Sequence, residues 1–191
     1  MIKVLLVDDH DLVRLGIKRL LADAKGICVV GEAETGEQAI KLTNELEPNV
    51  IMLDANMPGI GGLEACRRII RHHPDVKIIA LTVHVEEPYP SRFMRAGASG
   101  YHTKGTGVNE MVRAIRQVNV GQRYISAEIA QQLALKPFDI DTDNPFDKLS
   151  EREIQVMMMI TAGEKVQHIS DTLCLSPKTV NSYRYRLFEK L

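Results

Sequence analysis

The sequence predicts a doubly wound α/β domain built on a five-stranded parallel sheet, followed by a small all-α helix-turn-helix domain. Two observations support the first domain: strand-type and helix-type patterns alternate five times over residues 1–120, and the connections between them are short. A third observation supports the second domain, because the pattern from residue 148 onward is entirely helical. We therefore expect domains at residues 1–120 and 148–191, joined by a linker at 121–147 that contains a short helix.

Each predicted strand is a short apolar run with turn residues beside it. These runs lie at residues 2–7, 27–30, 50–53, 77–81 and 100–102. The run at 50–53 has four apolar residues in succession, which is typical of a strand buried on both faces of a parallel sheet. Between and after the strands, apolar residues recur at helical spacing, at residues 12–21, 35–42, 63–72, 91–96 and 108–118.

Length, charge and composition exclude several classes of protein. The chain has 191 residues, of which 45% are apolar and 26% charged, with a net charge of -1, which is typical of a globular rather than a disordered protein. No apolar run approaches the roughly 20 residues that span a bilayer, and no signal-peptide pattern opens the chain, so we expect a cytoplasmic protein without a membrane partner. The three cysteines lack metal-type spacing and are expected to be free thiols.

Acidic side chains follow two of the predicted strands at the point where each strand ends. Asp8 and Asp9, with His10, come directly after the first strand, and Asp54 comes directly after the third. Because the carboxyl ends of parallel strands meet at one edge of the sheet, three carboxylates would lie together, an arrangement that a divalent cation such as Mg²⁺ makes tolerable. The alternative is that Asp8, Asp9 and His10 only cap the next helix.

Two further residues are expected at the same edge of the sheet. Thr82 ends the fourth strand and Lys104 follows the fifth. A transferred phosphoryl group needs a hydroxyl, an ammonium and a cation to bind its oxygens, and a carboxylate such as Asp54 as the nucleophile. Taken alone, each of the two residues would more simply be an ordinary loop or surface residue.

Residues 121–147 interrupt the alternating pattern. One short helix is expected at 127–134, with Ser126 as its N-cap, and the prolines and acids after it predict an extended, solvated tether. Residues 126–147 carry one basic and five acidic side chains, whereas residues 148–191 carry seven basic and five acidic ones. This uneven charge suggests a linker followed by a module that faces an anionic partner, although a solvated basic helix face is the simpler alternative.

The C-terminal part predicts three helices. Ser150 and Glu153 form a capping-box pattern at the start of the first helix, a second short helix is expected at 166–173, and Ser176 with Pro177 opens the third. Two helices joined by so short a turn form a helix-turn-helix, in which the second helix reads DNA.

The last of these helices has a polar face suited to DNA. Lys178, Asn181, Ser182 and Tyr185 are spaced at i, i+3, i+4 and i+7, which puts them on one face. Asn181 and Ser182 suit base edges, and the basic residues suit phosphates. The apolar positions expected to face the core are Val180 and Leu187. The residues expected to contact DNA are Lys178, Thr179, Asn181, Ser182, Arg184, Tyr185 and Arg186. A basic helix that only covers a core is the alternative.

These residues resemble two known families. The helical part resembles the LuxR-type helix-turn-helix of the NarL/FixJ subfamily in the segments 149–153 and 175–183. The joined pattern, including the segments 121–125 and 182–186, is similar to the GacA/UvrY/LetA branch of global regulators. Residues 1–120 resemble the receiver domain of two-component response regulators, which has a flavodoxin/CheY-like fold. The residues that match the receiver motif are Asp8, Asp9, Asp54, Thr82 and Lys104.

The resemblance implies a phosphorylation-controlled transcription regulator rather than an enzyme. Its only reactions would be autophosphorylation from a phosphohistidine donor and self-dephosphorylation. Asp54 would accept a phosphoryl group from a sensor histidine kinase or a phosphotransfer protein, and Lys104 would hold the phosphoryl oxygens. Mg²⁺ would bind Asp9 directly, Asp8 through water, and also Asp54 and the main-chain carbonyl of Asn56.

The resemblance also implies how the signal would move. Thr82 would swing toward the phosphoryl group, and Tyr101, at the switch position, would turn inward behind it. The active form would bind promoter DNA as a homodimer. The sequence departs from the family pattern in two places: Gly105 follows Lys104 where many receivers carry proline, and the fourth helix of the DNA-binding domain is expected to be missing after Leu191.

Two other functions and one mode of regulation remain open. The three acids with a lysine and a threonine could form a magnesium-dependent phosphohydrolase, although the sequence supplies no substrate pocket with its own general acid and the helix-turn-helix would be idle. The C-terminal part could instead dock on protein. In the regulatory hypothesis, the unphosphorylated receiver covers the basic face at 178–186 and phosphorylation of Asp54 releases it, as the acidic tether at 139–147 suggests.

Overall fold

The structure is a computed structural model that describes residues 1–82, 89–105, 107–134 and 148–191. The chain divides into two compact units, residues 1–136 and residues 137–191. The expected acidic tether at 139–147 lies outside the described residues. Within the residues that are described, none of the helices combines the length and the apolar character that a bilayer-spanning segment needs.

The first unit is built on a parallel sheet whose strand order is β2-β1-β3-β4-β5-β6. Because all neighbouring strands are parallel, their carboxyl ends meet at one edge. The strands are β1 (Ile2–Val7), β2 (Ile27–Ala33), β3 (Val50–Asp54), β4 (Lys77–Thr82), β5 (Gly100–Thr103) and β6 (Tyr124–Ile125).

Helices connect the strands and cover the sheet. They are α1 (Asp11–Ala22), α2 (Gly36–Leu46), α3 (Gly61–His72), α4 (Tyr89–Arg95), α5 (Val108–Asn119) and α6 (Ala127–Ala134). The strand β3 is buried along its whole length, as its uninterrupted apolar run predicts. One face of the sheet forms a core with α1 and α5, which includes Val4, Leu6, Ile17, Leu21, Val50, Met52, Ile79, Leu81, Met111, Ile115 and Val118.

The sheet has six strands among the described residues, so the prediction of five was one strand short. The additional strand β6 pairs with β5, and it lies in the segment that was expected to be linker. The main-chain N–H of Tyr124 donates to the carbonyl of Ser99 at 3.0 Å, and that of Ser126 donates to the carbonyl of Tyr101 at 3.1 Å. A strand of two residues is too short to show an alternating pattern, and it forms because the edge of β5 offers unpaired backbone groups.

Among its described residues, 148–191, the second unit contains three helices, α7 (Glu151–Thr161), α8 (Val166–Thr172) and α9 (Pro177–Lys190). The caps predicted for these helices are confirmed: Ser150 and Glu153 form a capping box, Ser176 accepts a hydrogen bond from the N–H of Thr179, and Pro177 occupies the first turn of α9. The predicted N-cap of α6 is not confirmed, because the buried hydroxyl of Ser126 has no hydrogen-bond partner among the described residues. The helices α8 and α9 form the predicted helix-turn-helix.

Glu153 links the start of α7 to the end of α9. Its Oε2 accepts hydrogen bonds from the N–H and the hydroxyl of Ser150 at 2.7 and 2.9 Å, and it lies 2.7 Å from Nζ of Lys190. Although burial opposes ionisation, the hydrogen bonds from Lys190 and Ser150 outweigh it and hold the pKa of the Glu153 carboxyl below its ordinary value. The capping box of α7 therefore also anchors the far end of α9.

We predict that Gly62→Ala destabilises the first unit. A methyl group at Gly62, in the first turn of α3, would lie 2.1 Å from the carbonyl oxygen of Asp54, so the backbone of α3 or β3 must move. Forced overpacking of this kind typically costs about 1–3 kcal/mol, which urea unfolding of the full chain would measure.

Gly16→Ala is the matched control, because a methyl group at Gly16 in α1 has no neighbour within 4 Å. The free energy of unfolding should stay unchanged or rise by about 0.5–1 kcal/mol, since alanine favours a helix interior. A wild-type unfolding midpoint for Gly62→Ala would contradict the close packing of α3 on the end of β3.

Candidate functional site

Acidic side chains converge at the carboxyl edge of the sheet. Asp8 directly follows β1 and Asp54 is the last residue of β3, and their side chains are only 2% and 3% exposed. Candidate ligand atoms of Asp8, Asp9, His10 and Asp54 all lie within 4.8 Å of one another. The structure therefore brings together the three predicted carboxylates and adds His10, whose Nδ1 lies 2.8 Å from Oδ1 of Asp9.

Lys104 lies between two of these carboxylates. Its Nζ is 2.8 Å from Oδ2 of Asp8 and 2.8 Å from Oδ2 of Asp54. Its main-chain N–H donates to the carbonyl of Thr82 at 2.8 Å, so the ends of β4 and β5 hold the lysine in place. Although burial opposes its charge, Asp54 and Asp8 outweigh that effect and raise the pKa of the Lys104 ammonium above its ordinary value.

Burial dominates the protonation of Asp54. The loss of hydration outweighs the attraction of Lys104, and repulsion by Asp8 adds to it, which raises the pKa of the Asp54 carboxyl from 3.8 to about 6. With a folded pKa above the unfolded one, the contribution of Asp54 to stability is fully present below pH 3.8 and is lost as the pH rises through about 6. At neutral pH the carboxylate is ionised at a cost to the fold, which a bound cation would reduce.

The donor set fits a hard divalent cation. Three carboxylates and one ammonium, those of Asp8, Asp9, Asp54 and Lys104, leave a net charge of about -2, which a divalent ion would balance, and carboxylate oxygens are the ligands that Mg²⁺ prefers. The main-chain N–H of Asn56 donates to Oδ1 of Asp54 at 3.1 Å, so the predicted carbonyl ligand belongs to a residue directly beside the cluster. The acidic pocket is of the type that binds Mg²⁺.

The two residues expected to carry the signal lie on neighbouring strands. Thr82 is fully buried at the end of β4 and pairs with Thr103 in β5. Tyr101 in β5 is also fully buried, and its ring lies 5.9 Å from that of Phe93 in α4. The ring of Tyr101 therefore already faces the interior of the first unit.

Sequence reasoning missed a side chain that holds the loop after Asp54. Glu37, in the first turn of α2, accepts a hydrogen bond from the main-chain N–H of Ile60 at 3.2 Å. An acid in the first turn of a helix is common, because it interacts favourably with the helix dipole, so nothing in the local pattern distinguished Glu37.

The second unit presents the predicted polar face on α9. Val180 and Leu187 are buried, whereas the residues expected at base edges are exposed, in agreement with the predicted faces. A shallow groove of about 540 Å³ runs along the exposed face. It is lined by Lys178, Asn181, Ser182, Tyr185, Arg186 and Glu189.

Some of the expected contact residues already have partners within α9. The hydroxyl of Thr179 lies 2.8 Å from that of Ser176, and the hydroxyl of Ser182 donates to the carbonyl of Lys178 at 3.0 Å. Arg184 is partly buried and donates to Oδ1 of Asn181 at 3.3 Å. The guanidinium of Arg186 stacks over the ring of Tyr183 at 5.9 Å.

Comparison with known proteins identifies two families. Residues 4–116 match the response regulator receiver domain, and residues 147–191 match the luxR family of bacterial regulatory proteins. The chain is similar to the response regulator GacA of Pseudomonas aeruginosa, with 64% identity over 100% of this chain and 90% of that protein. It is 59% identical to the response regulator UvrY of Escherichia coli, over 100% of this chain and 88% of that protein.

A solved structure supports the same family. The response regulator RcsB from Salmonella typhimurium is 27% identical to this chain, with a TM-score of 0.65. The match covers 100% of this chain and 91% of the RcsB chain. That structure concerns conformational dynamism for DNA interaction in RcsB. These similarities cover both the acidic edge of the sheet and the helix-turn-helix. The chain therefore belongs to the two-component response regulators that join a receiver domain to a LuxR-type DNA-binding domain and control transcription.

Proposed function

We propose that this response regulator accepts a phosphoryl group on Asp54 from the phosphohistidine of a sensor histidine kinase or a phosphotransfer protein. The observation that carries the proposal is the position of Lys104, whose ammonium lies 2.8 Å from the carboxylates of both Asp8 and Asp54. A cation held beside a buried nucleophile can bind the oxygens of the incoming group as charge develops on them.

In the proposed step, a carboxylate oxygen of Asp54 attacks phosphorus, the bond from phosphorus to the donor imidazole breaks, and the imidazole nitrogen leaves with the electron pair. The pKa of about 6 leaves Asp54 ionised at neutral pH, as a nucleophile must be. Lys104 stays charged throughout and stabilises the transferred oxygens. Slow attack of water on the phosphorus of the resulting acyl phosphate would break its bond to the Asp54 oxygen, release inorganic phosphate and restore the carboxylate.

Mg²⁺ is the proposed cofactor, held by Asp9, Asp8 and Asp54 with the main-chain carbonyl of Asn56. When bound, the ion neutralises charge on the phosphoryl oxygens. The residues of the chain do the rest: Lys104 orients the group and the burial of Asp54 limits the access of water.

We propose that β4 and β5 carry the change to the second unit. Thr82 would approach the new phosphoryl group, and the carbonyl of Thr82 binds the main-chain N–H of Lys104, so both strand ends respond to the same charge. Tyr101 in β5 would fix its inward position in response. The strand β6 pairs with β5 and precedes α6, the last described element before the second unit.

The proposed output is promoter binding by a homodimer through α9. This agrees with the exposed polar face of α9 and with the DNA interaction studied in RcsB. We assign base edges to Asn181 and Ser182, and phosphates to the basic residues Lys178, Arg184 and Arg186. Thr179 and Tyr185 are assigned to the border of the contact. Promoter DNA as the target implies a cytoplasmic location.

If Asp54 accepts the phosphoryl group, phosphoryl labelling of the chain should depend on that residue. With acetyl phosphate and Mg²⁺, wild type should gain one acid- and base-labile phosphoryl group, detected by intact mass spectrometry, and Asp54→Asn should gain none. Lys104→Gln should lower the labelling rate by about 10²–10³-fold, the typical effect of removing one donor to a developing negative charge.

Asp75→Asn is the matched control, because it makes the same chemical change at an exposed loop residue of the same unit and should label like wild type. Equal labelling of Asp54→Asn and wild type would rule out Asp54 as the acceptor.

We predict that two substitutions in α9 weaken DNA binding in different ways. Lys178→Ala should weaken binding to all sequences and lower the slope of log affinity against log salt by about one, whereas Asn181→Ala should weaken only promoter binding, by about 1–3 kcal/mol. Fluorescence anisotropy with promoter and scrambled DNA at several salt concentrations would measure both.

The control variant is Lys41→Ala, which removes a lysine whose side chain is 75% exposed on α2. It should bind both DNAs like wild type. If Lys178→Ala and Lys41→Ala changed the salt slope equally, the assignment of α9 as the DNA-contacting face would be wrong.

A further inference from the structure

Arg14 makes a contact with the acidic edge that the phosphoryl-transfer step does not use. It lies in the first turn of α1, and its side chain is only 11% exposed. Its Nη1 donates to the main-chain carbonyl of Asp8 at 2.6 Å. Its other nitrogens contact three carboxylates: Nη2 lies 2.5 Å from Asp11 and 3.1 Å from Glu34, and Nε lies 3.4 Å from Glu32.

The contact between Arg14 and Asp8 adds a third hydrogen bond to the short loop that follows β1. The main-chain N–H of Asp8 donates to the carbonyl of Ala33 at 3.1 Å, and Oδ1 of Asp8 accepts from the main-chain N–H of His10 at 2.9 Å. The carbonyl of Asp8, which Arg14 holds, belongs to the peptide group that joins Asp8 to Asp9. Together with the side-chain torsions of Asp9, the orientation of that peptide sets where the Asp9 carboxylate points.

Without such a restraint, electrostatics would open the loop. Asp9 carries the same charge as Asp8 and Asp54 within a few ångströms, so it gains by turning its carboxylate toward solvent. The side chain of Asp9 is 28% exposed, so its carboxylate can reach solvent. A planar guanidinium anchored on three acids of α1 and the end of β2 can resist this motion, because its donors have fixed directions.

We infer that Arg14 is a positioning residue of the magnesium site, which holds the Asp8–Asp9 peptide so that both carboxylates face Asp54. This inference rests on the proposed function to the extent that the acidic edge binds Mg²⁺. It adds to that function a residue outside the cluster, which acts on the metal ligands only through the backbone.

Lys18 supplies a comparison on the same helix. It also carries a positive charge and pairs with Glu32, but it is about half exposed and its ammonium is bound to that acid rather than to the loop. If only positive charge near the end of β2 supported magnesium binding, substitutions of Arg14 and of Lys18 would weaken that binding equally. If the hydrogen bond to the carbonyl of Asp8 supports it, only substitutions of Arg14 should weaken it.

The test is isothermal titration of the full chain with MgCl₂, alongside thermal unfolding in EDTA to establish that each variant is folded. Arg14→Gln should raise the magnesium dissociation constant about tenfold, the lower end of what losing an outer support of metal ligands typically costs. Arg14→Lys, which keeps the charge but loses the planar fork, should raise the constant severalfold and serves if the glutamine variant unfolds. Lys18→Gln should stay within twofold of wild type.

Wild-type affinity in both Arg14 variants, or an equal loss in Lys18→Gln, would overturn the inference. Asp9→Asn separates this failure from that of the proposed function. If wild type binds Mg²⁺, Asp9→Asn does not, and Arg14→Gln binds like wild type, only the role of Arg14 is wrong. If wild type binds no Mg²⁺, the metal site and the role of Arg14 are both wrong.

Discussion

The ammonium of Lys104 between the carboxylates of Asp8 and Asp54 is the interaction on which the acidic edge of the first unit depends. Those carboxylates are nearly buried, and like charges at such a distance would separate without a cation between them. The parallel sheet makes the contact possible, because β1, β3 and β5 all deliver their carboxyl ends to one edge. Even beside Lys104, burial raises the pKa of the Asp54 carboxyl, so a further cation would favour its ionised form.

Both units contain a buried carboxylate that contacts a lysine, but the effect on the carboxylate differs. In the second unit, Glu153 is a buried carboxylate held by Lys190 from the end of another helix, and there the donors outweigh the burial and hold the pKa down. The result is a fixed joint between α7 and α9, which presents a polar helix face. In the first unit, burial outweighs the donors at Asp54 and raises the pKa of its carboxyl to about 6. The balance between burial and donors thus differs between the structural carboxylate of Glu153 and the proposed phosphoryl acceptor Asp54.

The sequence predicted those features that depend on local pattern. The buried run of β3 located Asp54, and the capping box located the start of α7, because both follow from short-range chemistry. The strand β6 was missed because two residues carry no periodicity. Arg14 was missed for another reason, because on a helical wheel it is an ordinary charged position. Its proposed role depends on a carbonyl and two acids that lie on other strands and loops.

The most direct test of the central claim is the affinity of the full chain for promoter DNA with Mg²⁺, with and without acetyl phosphate, for wild type and Asp54→Asn. We expect the donor to tighten binding of wild type by a factor on the order of ten, within the range typical of coupling between two sites, and to leave Asp54→Asn unchanged. Equal tightening of both proteins, or no change in wild type that carries the label, would contradict the claim that charge at Asp54 controls the DNA-binding unit.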